Sequence, residues 1–151
     1  MSVSVVWFKR DLRLADHAPL SAAVALGQPI LLVYIVEPEL LKNPHYRRRH
    51  WHFITQSLAD LNRQLQPLAV KLWVLEGEPV PLFAAIHRAK GISQLLSYEE
   101  TGLEVTFARD REVMTWADRE GVFWQEFPTN GVERRRQNRK GWNHRWGKLM
   151  S

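Results

Sequence analysis

The sequence contains no cysteine, which excludes disulfides and thiolate metal sites and fits a reducing compartment. No stretch approaches the ~18–20 consecutive apolar residues of a membrane span. The opening residues MSVSVVWFKRD have neither a charged leader nor a long apolar core, so they do not form a secretory signal. The expected location is therefore the cytoplasm, with no membrane partner. Glycine signatures are missing too. No G-x-G-x-x-G follows the first apolar run, and no Walker A loop or G-x-S-x-G elbow occurs. Those absences argue against a Rossmann dehydrogenase, an ordinary NTPase and a serine hydrolase of the elbow type. There is also no internal repeat and no low-complexity run.

What is present is a chain of 151 residues, 45% hydrophobic, enough for one domain with one sizeable core. The net charge of +5 is unevenly placed. Met1 to Val132 carries 14 Lys/Arg against 15 Asp/Glu, a net −1, whereas Glu133 to Lys148 carries 7 against 1, a net +6. A neutral body thus ends in a basic tail. The boundary falls near Pro128, giving a domain over 1–128 and a basic linker over 129–151. Such a tail reads first as solvated chain, and second as a contact for nucleic acid or an acidic partner.

Apolar runs and helical periodicity alternate along the body. Val3 to Phe8, Ile30 to Val36, Val70 to Leu75, Ile92 to Tyr98 and Val122 to Phe127 are short, nearly continuous apolar runs. They suit strands buried on both faces of a parallel sheet. Between them, Ala18 to Leu26 has Pro19 near its start and Gly27 just past its end, the punctuation of a helix. Tyr46 to Leu65 places Trp51, Ile54, Leu58, Leu61 and Leu65 on one stripe. Pro81 to Lys90 closes at Gly91. Thr106 to Arg119 closes at Gly121, with Phe107, Val113, Trp116 and Ala117 facing inward. Strand–helix alternation predicts an α/β domain. Right-handed crossovers favour a five-stranded, doubly wound, Rossmann-like parallel sheet of order 3-2-1-4-5 with helices on both faces.

In such a sheet ligands bind beyond the carboxyl ends of the strands, near the switch in strand order. The loops there carry Lys9, Arg10, Asp11, Glu37, Glu76, Glu78, Glu99 and Glu100. Without a glycine cradle, the ligand expected is a ring held by side chains, with apolar walls and polar groups at its edge. The histidines His45, His50 and His52 offer no i, i+4 pair and read as surface residues, so no metal is expected. Trp7, Trp73 and Trp124 in strands, and Trp51 and Trp116 on helix stripes, read as core. Trp142 and Trp146, four apart in the tail, form one helical face with Leu149 and Met150 that awaits a partner.

Several blocks together resemble a known family. WFKRDLRLADH, from Trp7 to His17, resembles the W-F-[RK]-x-D-L-R-[LV]-x-D-[NH] opening of the DNA photolyase/cryptochrome family. YIVEPE, FITQSLADLNRQL, LWVLEGEP, YEETG with ARDREV, and PTNGVERR with GWNHRW are similar to its later blocks, in the same order. The resemblance spans nearly the whole chain. It implies the N-terminal α/β domain of a longer protein whose helical domain binds FAD. It also implies an antenna chromophore (deazaflavin, flavin or folate) shared between the two domains. It places Lys9 and Arg10 beside that chromophore, Tyr34, Ile35 and Val36 as its apolar wall, and Glu100 and Glu104 as acceptors for its ring. Folate-type members carry a glutamate three positions before the R-D pair; here that position is Thr106. The Asp11–Arg13 pair is expected to tie the loop to a helix, with Leu12 and Leu14 packed.

The implied whole protein is a deoxyribodipyrimidine photolyase that splits pyrimidine dimers in DNA with light and FAD, after flipping the lesion out of the duplex. This chain alone, read as an excised fragment, would be inactive and would contribute no catalytic acid or base. Two alternatives stay open. One is the same domain of a cryptochrome-like blue-light sensor; the other is an unrelated nucleotide-binding α/β module.

Overall fold

A computed structural model of the protein describes residues 2–9, 11–43, 48–68, 70–100 and 104–128. Five parallel strands, β1 (Val3–Phe8), β2 (Ile30–Val36), β3 (Leu72–Glu76), β4 (Ile92–Tyr98) and β5 (Phe123–Phe127), form one sheet of order β3-β2-β1-β4-β5. The helices are α1 (Ala18–Leu26), α2 (Pro38–Leu41), α3 (Arg48–Leu65), α4 (Pro79–Lys90) and α5 (Glu104–Glu120). The strand order is the one expected from the alternating pattern.

The near-continuous apolar runs are explained by burial on two faces. Successive strand residues point to opposite sides. Val5, Trp7, Val33, Ile35, Leu95 and Trp124 enter the core beneath α4 and α5. Val6, Phe8, Leu32, Tyr34 and Leu96 enter the second core beneath α1 and α3. Strands β1, β2 and β4 are largely apolar because both faces are covered, and the buried exceptions Ser4 and Ser97 find partners in Gln28 and the Trp124 indole N–H. The register Phe8↔Tyr34 and Tyr98↔Phe127 brings the strand ends level along one edge.

Helix α1 shows how local chemistry sets a boundary. His17 is its N-cap, and its Nδ1 accepts from the Leu20 amide at 3.1 Å. Nδ1 is therefore unprotonated, and Nε2 carries the proton that it donates to buried Asp11. Asp11 also accepts from the Lys9 amide at 3.0 Å. The expected Asp11–Arg13 side-chain pair is thus replaced. The loop is tied to α1 through Asp11 and His17, because a buried carboxylate is better matched by a buried ring N–H than by a guanidinium reaching for solvent. Arg13 instead reaches the Asp16 carbonyl and the Tyr98 hydroxyl. Leu12 and Leu14 pack against the α1/α3-side core, as expected.

Three further expectations need correcting. The third apolar run is not buried on both faces: Trp73 is 46% and Val74 45% exposed. β3 is an edge strand, paired with β2 on one side only, and both of its faces are left partly open. The strand begins at Leu72, where Asn62 of α3 accepts from the Leu72 amide at 2.9 Å, leaving Val70 outside it. Trp51 and Phe107 are half-buried rather than core. The short helix α2, opened by Pro38, follows β2 directly and lay within a predicted loop. Residues 129–151, including Trp142 and Trp146, lie outside the described residues, as do Arg10, His45 and the predicted helix start at Tyr46.

Candidate functional site

The carboxyl edge of the sheet holds a cavity of about 340 Å³. Trp7, Phe8 and Lys9 reach it from the end of β1, and Tyr34, Ile35 and Glu37 from the end of β2. Leu40 of α2 and His50, Phe53 and Ile54 of α3 form its outer wall; Glu100, Thr106 and Arg109 close it from the β4–α5 side. The volume falls within the usual range of small-molecule sites, ~300–1,000 Å³. Its walls are apolar and its floor is charged.

The floor is built around Arg109. Its guanidinium meets Glu37 at 2.6 Å, Glu100 at 2.7 Å and Asp110 at 2.9 Å. Lys9 joins the same network through Asp110 at 2.9 Å and the Tyr98 carbonyl at 3.1 Å. All five side chains are buried. Both cations also lie over the Trp7 ring, Lys9 Nζ at 4.5 Å and Arg109 Cζ at 4.9 Å from its centre. Burial drives the Glu37 pKa above its ordinary value, although Arg109 opposes the shift. Burial works to depress the Arg109 pKa, but Asp110, Glu37 and Glu100 outweigh it, and it stands above the ordinary arginine value. The guanidinium is thus permanently charged and fully engaged by carboxylates, so the floor presents rigid acceptors rather than a free anion-binding cation.

The expected site residues fall into three groups. Lys9, Tyr34, Ile35 and Glu100 line the cavity. Val36 packs against the α1/α3-side core and Glu104 is an exposed residue of the first turn of α5, paired with Arg111 at 3.3 Å; neither lines the cavity. Arg10 lies outside the described residues. Glu76 and Glu78 are exposed, away from it.

Arg109, Thr106, Leu40, Phe53 and Ile54 were not singled out as site residues from the sequence. A signal existed for two of them. Thr106, Arg109, Asp110, Val113 and Ala117 share one helical stripe, and all are buried. Charged and polar residues on a stripe that is otherwise apolar are candidates for a buried polar site. Among the described residues, no group of three His, Asp or Glu side chains could hold a metal ion, and no helix is long and apolar enough to cross a membrane.

A family model described as DNA photolyase matches residues 4–138. Cryptochrome-2 of Gallus gallus is 31% identical over 119 residues, which is 79% of this chain and 20% of that protein. A cryptochrome structure from Synechocystis superposes with a TM-score of 0.76 at 26% identity, covering 83% of this chain and 27% of that one. An archaeal photolyase from Sulfolobus tokodaii, described with two FAD molecules, superposes with a TM-score of 0.75 at 22% identity over 83% of this chain and 29% of its own. This chain therefore spans about a fifth to a third of the length of these relatives.

Proposed function

Because the chain belongs to the DNA photolyase family, we propose that the cavity at the carboxyl ends of β1 and β2 holds the ring of a light-harvesting chromophore, a flavin or deazaflavin rather than a folate. The observation that carries this reading is the pairing of apolar walls with a carboxylate floor in one cavity. Tyr34, Ile35, Leu40, Phe53 and Ile54 offer flat or branched surface to a tricyclic ring. Glu37 and Glu100 offer acceptors to the N–H edge of its pyrimidine portion. Arg109 holds both carboxylates, and Asp110, itself paired with Lys9, braces the guanidinium, so that no side chain has to reorganise when the ring enters. Thr106 in place of the glutamate of folate-type members, and a relative described with a second FAD, favour the flavin-type ligand.

The bound chromophore would supply absorption of visible light. The chain's residues hold and orient it and exclude water; none forms or breaks a bond. In the longer protein a helical domain would carry FAD, receive the excitation and act on pyrimidine dimers in DNA. The cysteine-free composition fits the cytoplasm.

A second reading has its own support in the cryptochrome relative at 31% identity: the longer protein would be a blue-light sensor without repair activity. The test uses the full-length protein. Its FAD should be reduced under light absorbed by the antenna band, and dimer-containing DNA should be repaired under the same illumination. Photoreduction without repair would select the sensor, and loss of the antenna band from the excitation spectrum would overturn the light-harvesting role.

A further inference from the structure

Among the described residues, Trp7 is the one tryptophan that lines the cavity. For a light-absorbing ring this is an awkward wall. Indole is the most easily oxidised side chain there; the Tyr34 phenol must shed a proton as it gives up an electron. An excited flavin-type ring is a strong one-electron oxidant. On contact it takes one electron from the indole, leaving an indole radical cation and a radical anion on the ring. The electron then returns, and the absorbed light is lost as heat. Trp124 lies behind Trp7, with 5.9 Å between ring centres, so a radical cation formed on one indole can be passed to the other. Left to itself, this pair would drain the excited state of any ring seated against it.

The chain places positive charge against both indoles. Lys9 Nζ lies 4.5 Å from the centre of the Trp7 ring and 5.4 Å from that of Trp124, and Arg109 Cζ lies 4.9 Å from that of Trp7. A cation over a neutral indole is attracted to its π face, but the same cation repels an indole that has lost an electron. That repulsion is strong where little water screens it, and both indoles and both cations are buried. The three carboxylates of the floor do not cancel it. Glu37, Glu100 and Asp110 accept from the N–H groups in the plane of the Arg109 guanidinium, and Asp110 also takes the Lys9 ammonium. It is therefore the cations, with the carboxylates round their rim, that lie over the ring. The other side of Trp7 meets Phe83 edge to face at 5.1 Å, which offers no anion to a radical cation.

We propose that Lys9 and Arg109 protect the excited chromophore: held over Trp7 and Trp124, they make these indoles hard to oxidise, so the wall that touches the ring does not quench it. This rests on the chromophore reading of the cavity and adds to it a role for the two cations. They are positioning residues of an electrostatic kind, acting on the indoles rather than on the ring. Lys9 matters most, because it alone lies against both indoles.

The test uses the longer protein, its FAD site filled and 5-deazariboflavin bound in the cavity. The fluorescence lifetime of the bound ring is measured, and transient absorption reports any indole radical cation. The FAD is common to all variants, so its share of the excitation is common too. The wild type should form no indole radical, and Trp7→Phe should leave the lifetime unchanged, since the indole is already silent. Lys9→Met combined with Asp110→Asn removes a cation from both indoles without altering the net charge of the network. It should shorten the lifetime by about tenfold or more and produce the radical. Adding Trp7→Phe to that pair should restore the lifetime, which no purely structural role of Lys9 would do. An indole radical in the wild type, or a longer lifetime in Trp7→Phe alone, would overturn the proposal. Equal lifetimes with and without the Lys9 and Asp110 changes would overturn it as well, as would a shortening that Trp7→Phe does not reverse. Absence of saturable 5-deazariboflavin binding to the wild type would instead overturn the chromophore reading, and this proposal with it.

Discussion

At Arg109 three carboxylates meet one guanidinium at 2.6–2.9 Å in a setting almost without solvent. With Lys9 included, the network holds two cations and three anions, so removing either cation leaves uncompensated buried charge. Arg109→Met should therefore destabilise the domain by about 3–5 kcal/mol, the usual cost of breaking a buried ion pair from one side. Glu37→Gln removes one excess anion and leaves Arg109 with Glu100 and Asp110, so it should change stability by less than about 1 kcal/mol.

The pH dependence follows from the same residue. Glu37 has a raised folded-state pKa, so just above its unfolded value of 4.5 the folded chain keeps a proton that the unfolded chain has released. That contribution is fully present below the unfolded pKa and is lost as pH rises through the folded one. Arg109 is charged in both states across this range and adds no slope. Urea midpoints measured from pH about 4 upward should show this downward component in the wild type and lack it in Glu37→Gln. Lys9, Tyr34, Ile35 and Glu100 could be found from the sequence because strand ends and motif positions coincide there. Arg109 and Asp110 share a helical stripe with Thr106, Val113 and Ala117, which marks them for burial, but only the packing of α5 on the sheet shows that the charged end of that stripe meets Glu37 and Glu100.

At the scale of elements, the fold turned on which strands are covered. Both Trp73 and Trp124 occupy apolar strand runs, and sequence alone treats them alike. Trp124 is 1% exposed, in the core beneath α5, with its indole N–H bonded to Ser97 at 2.9 Å. Trp73, on the outer strand, instead faces solvent with Lys71 over its ring at 4.7 Å. Trp124→Ala should cost about 3–5 kcal/mol, as large core truncations do. Trp73→Thr should cost less than about 1 kcal/mol. Chemical denaturation of the two variants side by side checks this. Strand order was legible because alternation and handedness leave few solutions. Edge exposure was not, because it depends on which strand ends up outermost and how much of it the helices cover, a tertiary property that no local pattern encodes. The start of α1 lies between these cases: Pro19 and Gly27 signalled the helix, whereas His17 as its cap depends on Asp11 being held beside it.

For the whole molecule, the parallel sheet brings every strand end to one edge, and the chain places its unusual residues there. The N-terminal edge carries mostly small uncharged contacts, such as Ser4 and Ser93 with Gln28. The carboxyl edge gathers Lys9, Glu37, Glu99, Glu100, Arg109, Asp110 and Glu126, all largely buried. Concentrating buried charge at one edge costs folding free energy, and the cavity beside it is where that cost gains a use. The most direct measurement is a titration of the longer protein, its FAD site filled and both sides of the chromophore cleft present, with riboflavin and 5-deazariboflavin, followed by fluorescence polarisation. Saturable binding of at least one ring is expected. Phe53→Asp, at an exposed position on the cavity mouth, should weaken binding at least about tenfold, or ~1.4 kcal/mol, without unfolding the domain. No saturable binding of either ring, or equal affinity in the wild type and Phe53→Asp, would contradict the assignment of this cavity to a chromophore.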